Sequence, residues 1–135
     1  GGAPGSEVDI LCRVPPRGSA TGDMIALPVE VKLAHNREAK TGLRDQLLNR
    51  YMHQLGTDLG VYVVVWMDTS VSGAKCRNPL WDSPEAARTE LETMAAELMA
   101  KSAEPLDLRV VVIDASLPTA ASGRDRGQLR DHCPA

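Results

Sequence analysis

The sequence predicts an α/β domain with a mixed β-sheet flanked by helices. Three observations predict it: two early segments whose apolar residues alternate, two longer segments whose apolar residues recur at helical spacing, and two apolar runs that each follow one of those helices. The resulting order is strand, strand, helix, strand, helix, strand. A chain of 135 residues, 43% apolar and 24% charged, suits one globular core. Residues 7–117 form that domain, residues 1–6 read as a flexible leader, and residues 118–135 read as a polar tail without periodicity.

The first strand spans about Glu7 to Val14, where Val8, Ile10, Cys12 and Val14 alternate with Glu7, Asp9, Leu11 and Arg13. The second spans Ile25 to Leu33 and sets Ile25, Leu27, Val29, Val31 and Leu33 opposite Ala26, Pro28, Glu30 and Lys32. Pro28 favours an edge position or a bulge. A helix from about Thr41 to Leu55 follows from the stripe Leu43, Leu47, Tyr51 and Leu55, which Gln46 and Arg50 border. The run Val61 to Met67 is apolar without alternation, as in a central strand covered on both faces. The second helix starts at Ser83 as N-cap and Pro84 as first residue, and carries Leu91, Met94, Ala95, Leu98 and Met99 on one side, with an acidic, solvated outer face. Leu108 to Ala115 supplies a last buried strand. Segments 14–24 and 68–82, rich in Gly, Pro, Ser, Asp and Asn, read as loops. Trp66, Trp81, Tyr51 and Tyr62 are expected in or beside the core.

Several classes are disfavoured. No stretch approaches the roughly 18 consecutive apolar residues of a membrane helix, and the opening Gly-Gly-Ala-Pro-Gly-Ser lacks the features of a signal peptide, so a cytoplasmic location without a membrane partner is expected. Cys12, Cys76 and Cys133 are odd in number, widely spaced, and suggest neither a disulfide framework nor a zinc site. A net charge of -3 disfavours a module that binds nucleic acid by neutralising many phosphates. A doubly wound ligand-binding domain would need a Gly-rich phosphate loop after a strand, which this sequence lacks.

Chemistry concentrates on the first two strands. Alternation obliges Glu30 and Lys32 to point the same way. An antiparallel register placing Asp9 opposite Glu30 also places Glu7 opposite Lys32. Two carboxylates about 4 Å apart repel by about 1 kcal/mol in water and about 4 kcal/mol in a partly buried site. A hard cation such as Mg²⁺ relieves that repulsion, retains several waters and leaves positions for phosphate oxygens. Lys32 can then orient or deprotonate a water and offset charge that builds up in the transition state. Taken alone, Glu-x-Lys is more often the polar side of an amphipathic strand, with Glu7 and Lys32 as an ordinary cross-strand ion pair.

The wider pattern resembles the PD-(D/E)XK nuclease superfamily, with its restriction-endonuclease-like core. The resemblance rests on Val8-Asp9, the strand ending Pro28-Val29-Glu30-Val31-Lys32, the helix carrying Gln-Leu-Leu-Asn-Arg-Tyr from Gln46 to Tyr51, and the apolar strand at Val61. It covers residues 7–67. By that similarity Asp9 and Glu30 are metal ligands for Mg²⁺ or Mn²⁺, with the main-chain carbonyl of Val31 as a further ligand. Lys32 is the catalytic lysine and Gln46 an auxiliary site residue. The chain departs from the family in three ways: Asp9 follows Val8 and not a proline, Tyr51 stands five residues after Gln46 where the common variant has four, and the usual first helix and strand are lacking. The last implies a piece of a larger multidomain protein or a shortened core.

Between positions 32 and 50, Lys32, Arg37, Lys40, Arg44 and Arg50 outnumber Glu38 and Asp45, a local basic excess that can steer a phosphate backbone. Arg44 and Arg50 are the expected substrate-binding pair, and His35, three residues past Lys32, is the histidine best placed to approach substrate; His53 and His132 are not. The function expected is a metal-dependent nuclease, DNA more than RNA, with homo-oligomerisation left open. The competing expectation is a non-catalytic binding or assembly module that keeps the nuclease-like fold inside a larger protein.

Overall fold

The computed structural model describes residues 8–18, 22–67 and 78–116. The leader, the tail, Glu7, Cys76, Cys133 and His132 lie outside the described residues, and with them the expected pairing of Glu7 with Lys32.

Strand β1 (Ile10–Val14) pairs antiparallel with β2 (Ile25–Leu33), which pairs parallel with β3 (Leu59–Trp66), which pairs parallel with β4 (Asp107–Asp114). The sheet is therefore mixed, in the order β1-β2-β3-β4. Helix α1 (Leu43–Leu55) connects β2 to β3 and helix α2 (Pro84–Lys101) connects β3 to β4. Two crossovers of the same hand moving in one direction place both helices on one face of the sheet. A single core forms there from Leu43, Leu47 and Met52 of α1, Ala87, Leu91 and Ala95 of α2, and Tyr62, Val64, Trp66, Leu108 and Val112 of the sheet. Tyr51 and Trp81 are buried as well.

The β1–β2 register is the one expected from the sequence: Ile10 pairs with Val29 and Val14 with Ile25, so one further step sets Asp9 opposite Glu30. Strand β1 begins at Ile10, with Val8 and Asp9 outside it, which leaves Asp9 just beyond the ladder. Pro28 lies inside β2 and is fully buried. The ladder with β3 begins only at Val29, so the missing N–H of Pro28 falls outside it.

The structure fixes which face of β2 is covered and corrects the expectations for β3 and β4. The helices cover the face that carries Pro28 and Glu30, while Val29, Val31 and Leu33 are only half-buried on the other side. β3 is central, but Val61, Val63 and Val65 are half-buried and only the face of Gly60, Tyr62, Val64 and Trp66 is closed over. β4 is an edge strand whose Val111 and Ile113 are 43% and 48% exposed. Strongly apolar strands signal sheet formation; they do not say which side a helix will cover.

The winding of α1 also differs from a regular α-helix. Its first ten residues, Leu43–Met52, follow the wider i→i+5 pattern, and only His53–Leu55 form an α-turn. This sets Leu43, Leu47, Tyr51 and Met52 inward. The helix sits close to the sheet because Gly60 has no side chain: a Cβ there would lie 2.5 Å from Met52 Sδ and 3.2 Å from Leu47 Cδ1. Helix α2 starts as the sequence predicts, with Ser83 Oγ accepting from Ala86 N at 3.0 Å and Pro84 in the first turn.

Candidate functional site

The site lies where β2 ends beneath the start of α1. Glu30 is only 3% exposed because its side chain points into the helix-covered layer beside Tyr62, its register partner on β3. Lys32, two residues on, shares that side, and its Nζ lies 3.5 Å from Glu30 Oε1 and 3.4 Å from Glu38 Oε2. The other oxygen of Glu30, Oε2, is buried without a hydrogen-bond partner among the described residues. An ion normally surrenders hydration only against full replacement, so this half-satisfied carboxylate is under electrostatic stress. Burial, and then the Asp9 charge, raise the Glu30 pKa to about 7 against the opposing pull of Lys32.

Asp9 reaches the site from the ladder's end. Its Oδ2 accepts from Val31 N at 2.9 Å, taking the place of the strand partner that β1 no longer provides. In a β-strand the N–H and C=O of one residue face the same neighbour, so the Val31 carbonyl points toward that same side.

Glu38 was not anticipated as a site residue. It comes from the turn after β2, where Asn36 Oδ1 accepts from Glu38 N at 2.8 Å and Gly42 N donates to Glu38 O at 2.7 Å. That turn is anchored to the sheet by Tyr62, whose buried hydroxyl donates to Ala39 O at 2.8 Å. The hydroxyl fits only because residue 42 is glycine, since a Cβ there would lie 2.6 Å from it. Gln46 Nε2 donates to Glu38 Oε2 at 2.9 Å, and this bond, followed by that from Lys32, holds the Glu38 carboxyl below its ordinary pKa. Its one sequence signal is the Asn36-x-Glu38 turn directly after a strand bearing Glu-x-Lys, with Gln46 following on the next helix.

Asp9, Glu30, Val31, Lys32 and Gln46 thus converge at one end of β2. The expected substrate-binding residues do not join them as a group. Arg44 is exposed and pairs with its own neighbour, Nε to Asp45 Oδ1 at 2.7 Å. Arg50 is exposed, six residues further along α1. His35 is half-buried in the turn after β2 and makes no hydrogen bond among the described residues. Lys40 pairs with Glu90 at 3.6 Å and lies 5.5 Å from the centre of the Trp81 ring, whose Nε1 donates to the same Glu90. Glu90 therefore belongs to a contact between the turn and α2, and not to a purely solvated face. The local basic excess is largely spent inside the chain.

A divalent cation here would draw on the unsatisfied Glu30 oxygen, the Asp9 carboxylate and the Val31 carbonyl. Among the described residues no three side chains of His, Cys, Asp and Glu form a group that could hold a metal ion. The set fits a hard ion that keeps several waters, as Mg²⁺ does, and not one that requires a complete protein cage. No described helix is long and apolar enough to cross a membrane.

Comparison with known proteins adds one family. No curated protein and no solved structure matches the chain. A family model described as a domain of unknown function, DUF8371, matches residues 19–69, a stretch that takes in β2, α1 and β3 with Glu30, Lys32, Glu38 and Gln46, and stops short of Asp9 and α2.

Proposed function

We propose that this chain is a metal-dependent nuclease domain that hydrolyses phosphodiester bonds, in DNA more than in RNA, and belongs to a larger multidomain protein. The observation that carries the proposal is the buried, half-satisfied Glu30 carboxylate with Asp9 beside it. A fold that keeps two acids together under a helix does so against their repulsion, and a cation turns that cost into affinity.

In this reading Asp9 and Glu30, with the Val31 carbonyl, hold Mg²⁺ or Mn²⁺. When bound, such an ion polarises a phosphoryl oxygen and acidifies water. The chain's own groups supply the rest. Lys32 sits between Glu30 and Glu38, and its N–H groups orient the attacking water and offset the negative charge that grows on the phosphoryl oxygens. The Val31 N–H holds Asp9 by the carboxylate oxygen Oδ2. Gln46 borders the site from α1 through its bond to Glu38. The test compares wild type with Asp9→Asn, Glu30→Gln and Lys32→Ala on linear and circular DNA and on RNA, with and without Mn²⁺. Loss of cleavage of about a hundredfold or more in each variant is expected; undiminished cleavage by all three would sink the assignment.

A second reading, a non-catalytic assembly module with a nuclease-like fold, is favoured by the uncovered side of the sheet, where Ile10, Val14, Val111 and Ile113 are each more than 40% exposed. Metal binding separates the two. Titration with Mn²⁺ under thermal unfolding raises the melting temperature if the native state holds the ion, and a flat curve at millimolar Mn²⁺ favours the assembly module.

A further inference from the structure

Lys32 Nζ and Gln46 Nε2 come from different elements, β2 and α1, and both point at one atom, Glu38 Oε2, at 3.4 and 2.9 Å. Two donors converging on a single anionic oxygen make an anion subsite, and here the chain's own carboxylate fills it. The Glu38 side chain is 60% exposed, whereas that of Lys32 is 13% exposed. The occupant therefore reaches in from the solvent-facing side of the turn, and Lys32 is the more buried partner.

We propose that Glu38 is a displaceable stand-in for a phosphate group, and that Lys32 and Gln46 form a phosphate subsite which Glu38 occupies until substrate removes it. The inference deepens the nuclease reading, because a backbone phosphate seated there lies against the Asp9–Glu30 pair. Exchange also answers an electrostatic objection. A phosphate added to Asp9, Glu30 and Glu38 would meet three carboxylates, whereas one that replaces Glu38 removes one anion from the donors as it arrives. Glu38 would thereby set a threshold, since a ligand that competes with an intramolecular occupant binds more weakly by the fraction of time the site is free. An occupant present about nine-tenths of the time weakens apparent affinity about tenfold.

The test is binding to the full chain in metal-free buffer, so that it does not depend on catalysis. Inorganic phosphate and a short DNA oligonucleotide are titrated separately and followed by the amide signals of residues 32–46. Glu38→Ala is expected to bind about tenfold more tightly than wild type, Glu38→Gln to fall between them, and adding Lys32→Ala or Gln46→Ala to Glu38→Ala to abolish the gain. A gain in the oligonucleotide arm assigns the subsite to backbone phosphates, and a gain with inorganic phosphate alone assigns it to a free phosphate group. Glu38→Ala binding both ligands no more tightly than wild type, or a gain that survives loss of Lys32, overturns the proposal. Nuclease activity with Mn²⁺ is read separately, so a chain that cuts DNA without this subsite, or binds phosphate without cutting, is recognised as such.

Discussion

Asp9 and Val31 meet where the β1–β2 ladder stops: the carboxylate of one accepts the main-chain N–H of the other at 2.9 Å. This single bond ties the acid contributed by the first strand to the strand that carries Glu30 and Lys32. Asp9→Ala leaves the Val31 N–H to water and should cost about 1 kcal/mol, whereas Asp9→Asn keeps an acceptor and should cost less. Urea unfolding without metal measures both. Cleavage should be lost in both, which separates the charge of Asp9 from its hydrogen bond.

Glu30 should give the chain an unusual dependence on pH. Its pKa is raised to about 7 in the folded state, above its ordinary value of 4.5. Between these values the native state keeps a proton that the unfolded chain has released. Its contribution to stability is therefore fully present below about 4.5, declines as pH rises, and is lost above about 7. Melting temperatures of metal-free wild type should fall relative to Glu30→Gln across this interval. A difference that stays constant would contradict the burial of an ionisable carboxyl. Stabilisation by Mn²⁺ should grow over the same interval, because the ion must displace that proton.

Replacing Glu30 with Met should separate stability from function in the opposite direction. It removes a buried carboxylate with an unsatisfied oxygen and leaves Lys32 its partner Glu38. At pH 8 without metal, Glu30→Met should melt higher than wild type, by about 1–4 kcal/mol of stability. It should neither respond to Mn²⁺ nor cut DNA.

Tyr62→Phe removes the hydroxyl that holds the turn at Ala39. About 1–3 kcal/mol of stability should be lost, since Ala39 O is left without that donor. The turn carries Glu38, so the exchange of amide hydrogens from Asn36 to Gly42 should quicken more than in the rest of the sheet.

Gly60→Ala tests the close seat of α1. The added methyl meets Met52 Sδ and Leu47, and the core can admit it only by shifting α1 or repacking both side chains. A loss of about 1–3 kcal/mol is expected from overpacking, read by thermal unfolding.

Much of this molecule is written locally. Alternation along Ile25 to Leu33 is enough to place Glu30 and Lys32 on one side, the pairing of Ile10 with Val29 follows from matching apolar rows, and Ser83-Pro84 marks a helix start. The choice of covered face is not local. Strand β2 offers an apolar row and a row of Ala26, Pro28, Glu30 and Lys32, and pattern alone favours burying the first. The two same-handed crossovers decide otherwise by the side on which they place α1 and α2. Glu38 was equally hidden, because its position depends on a turn held by Asn36 and Tyr62, partners on either side of it in sequence and as distant as 24 residues. Basic residues counted by sequence window misled for a related reason: Lys32, Lys40 and Arg44 each stand against a carboxylate.

That the covered face carries both the core and Glu30 bears on how such a domain would change over generations. A lineage relieved of the need for a carboxylate at position 30 would drift quickly to an apolar residue there, because each such step makes the fold more robust. A domain of this design that has ceased to perform its chemistry should therefore betray the fact by one buried position, while its outer surface still looks unchanged.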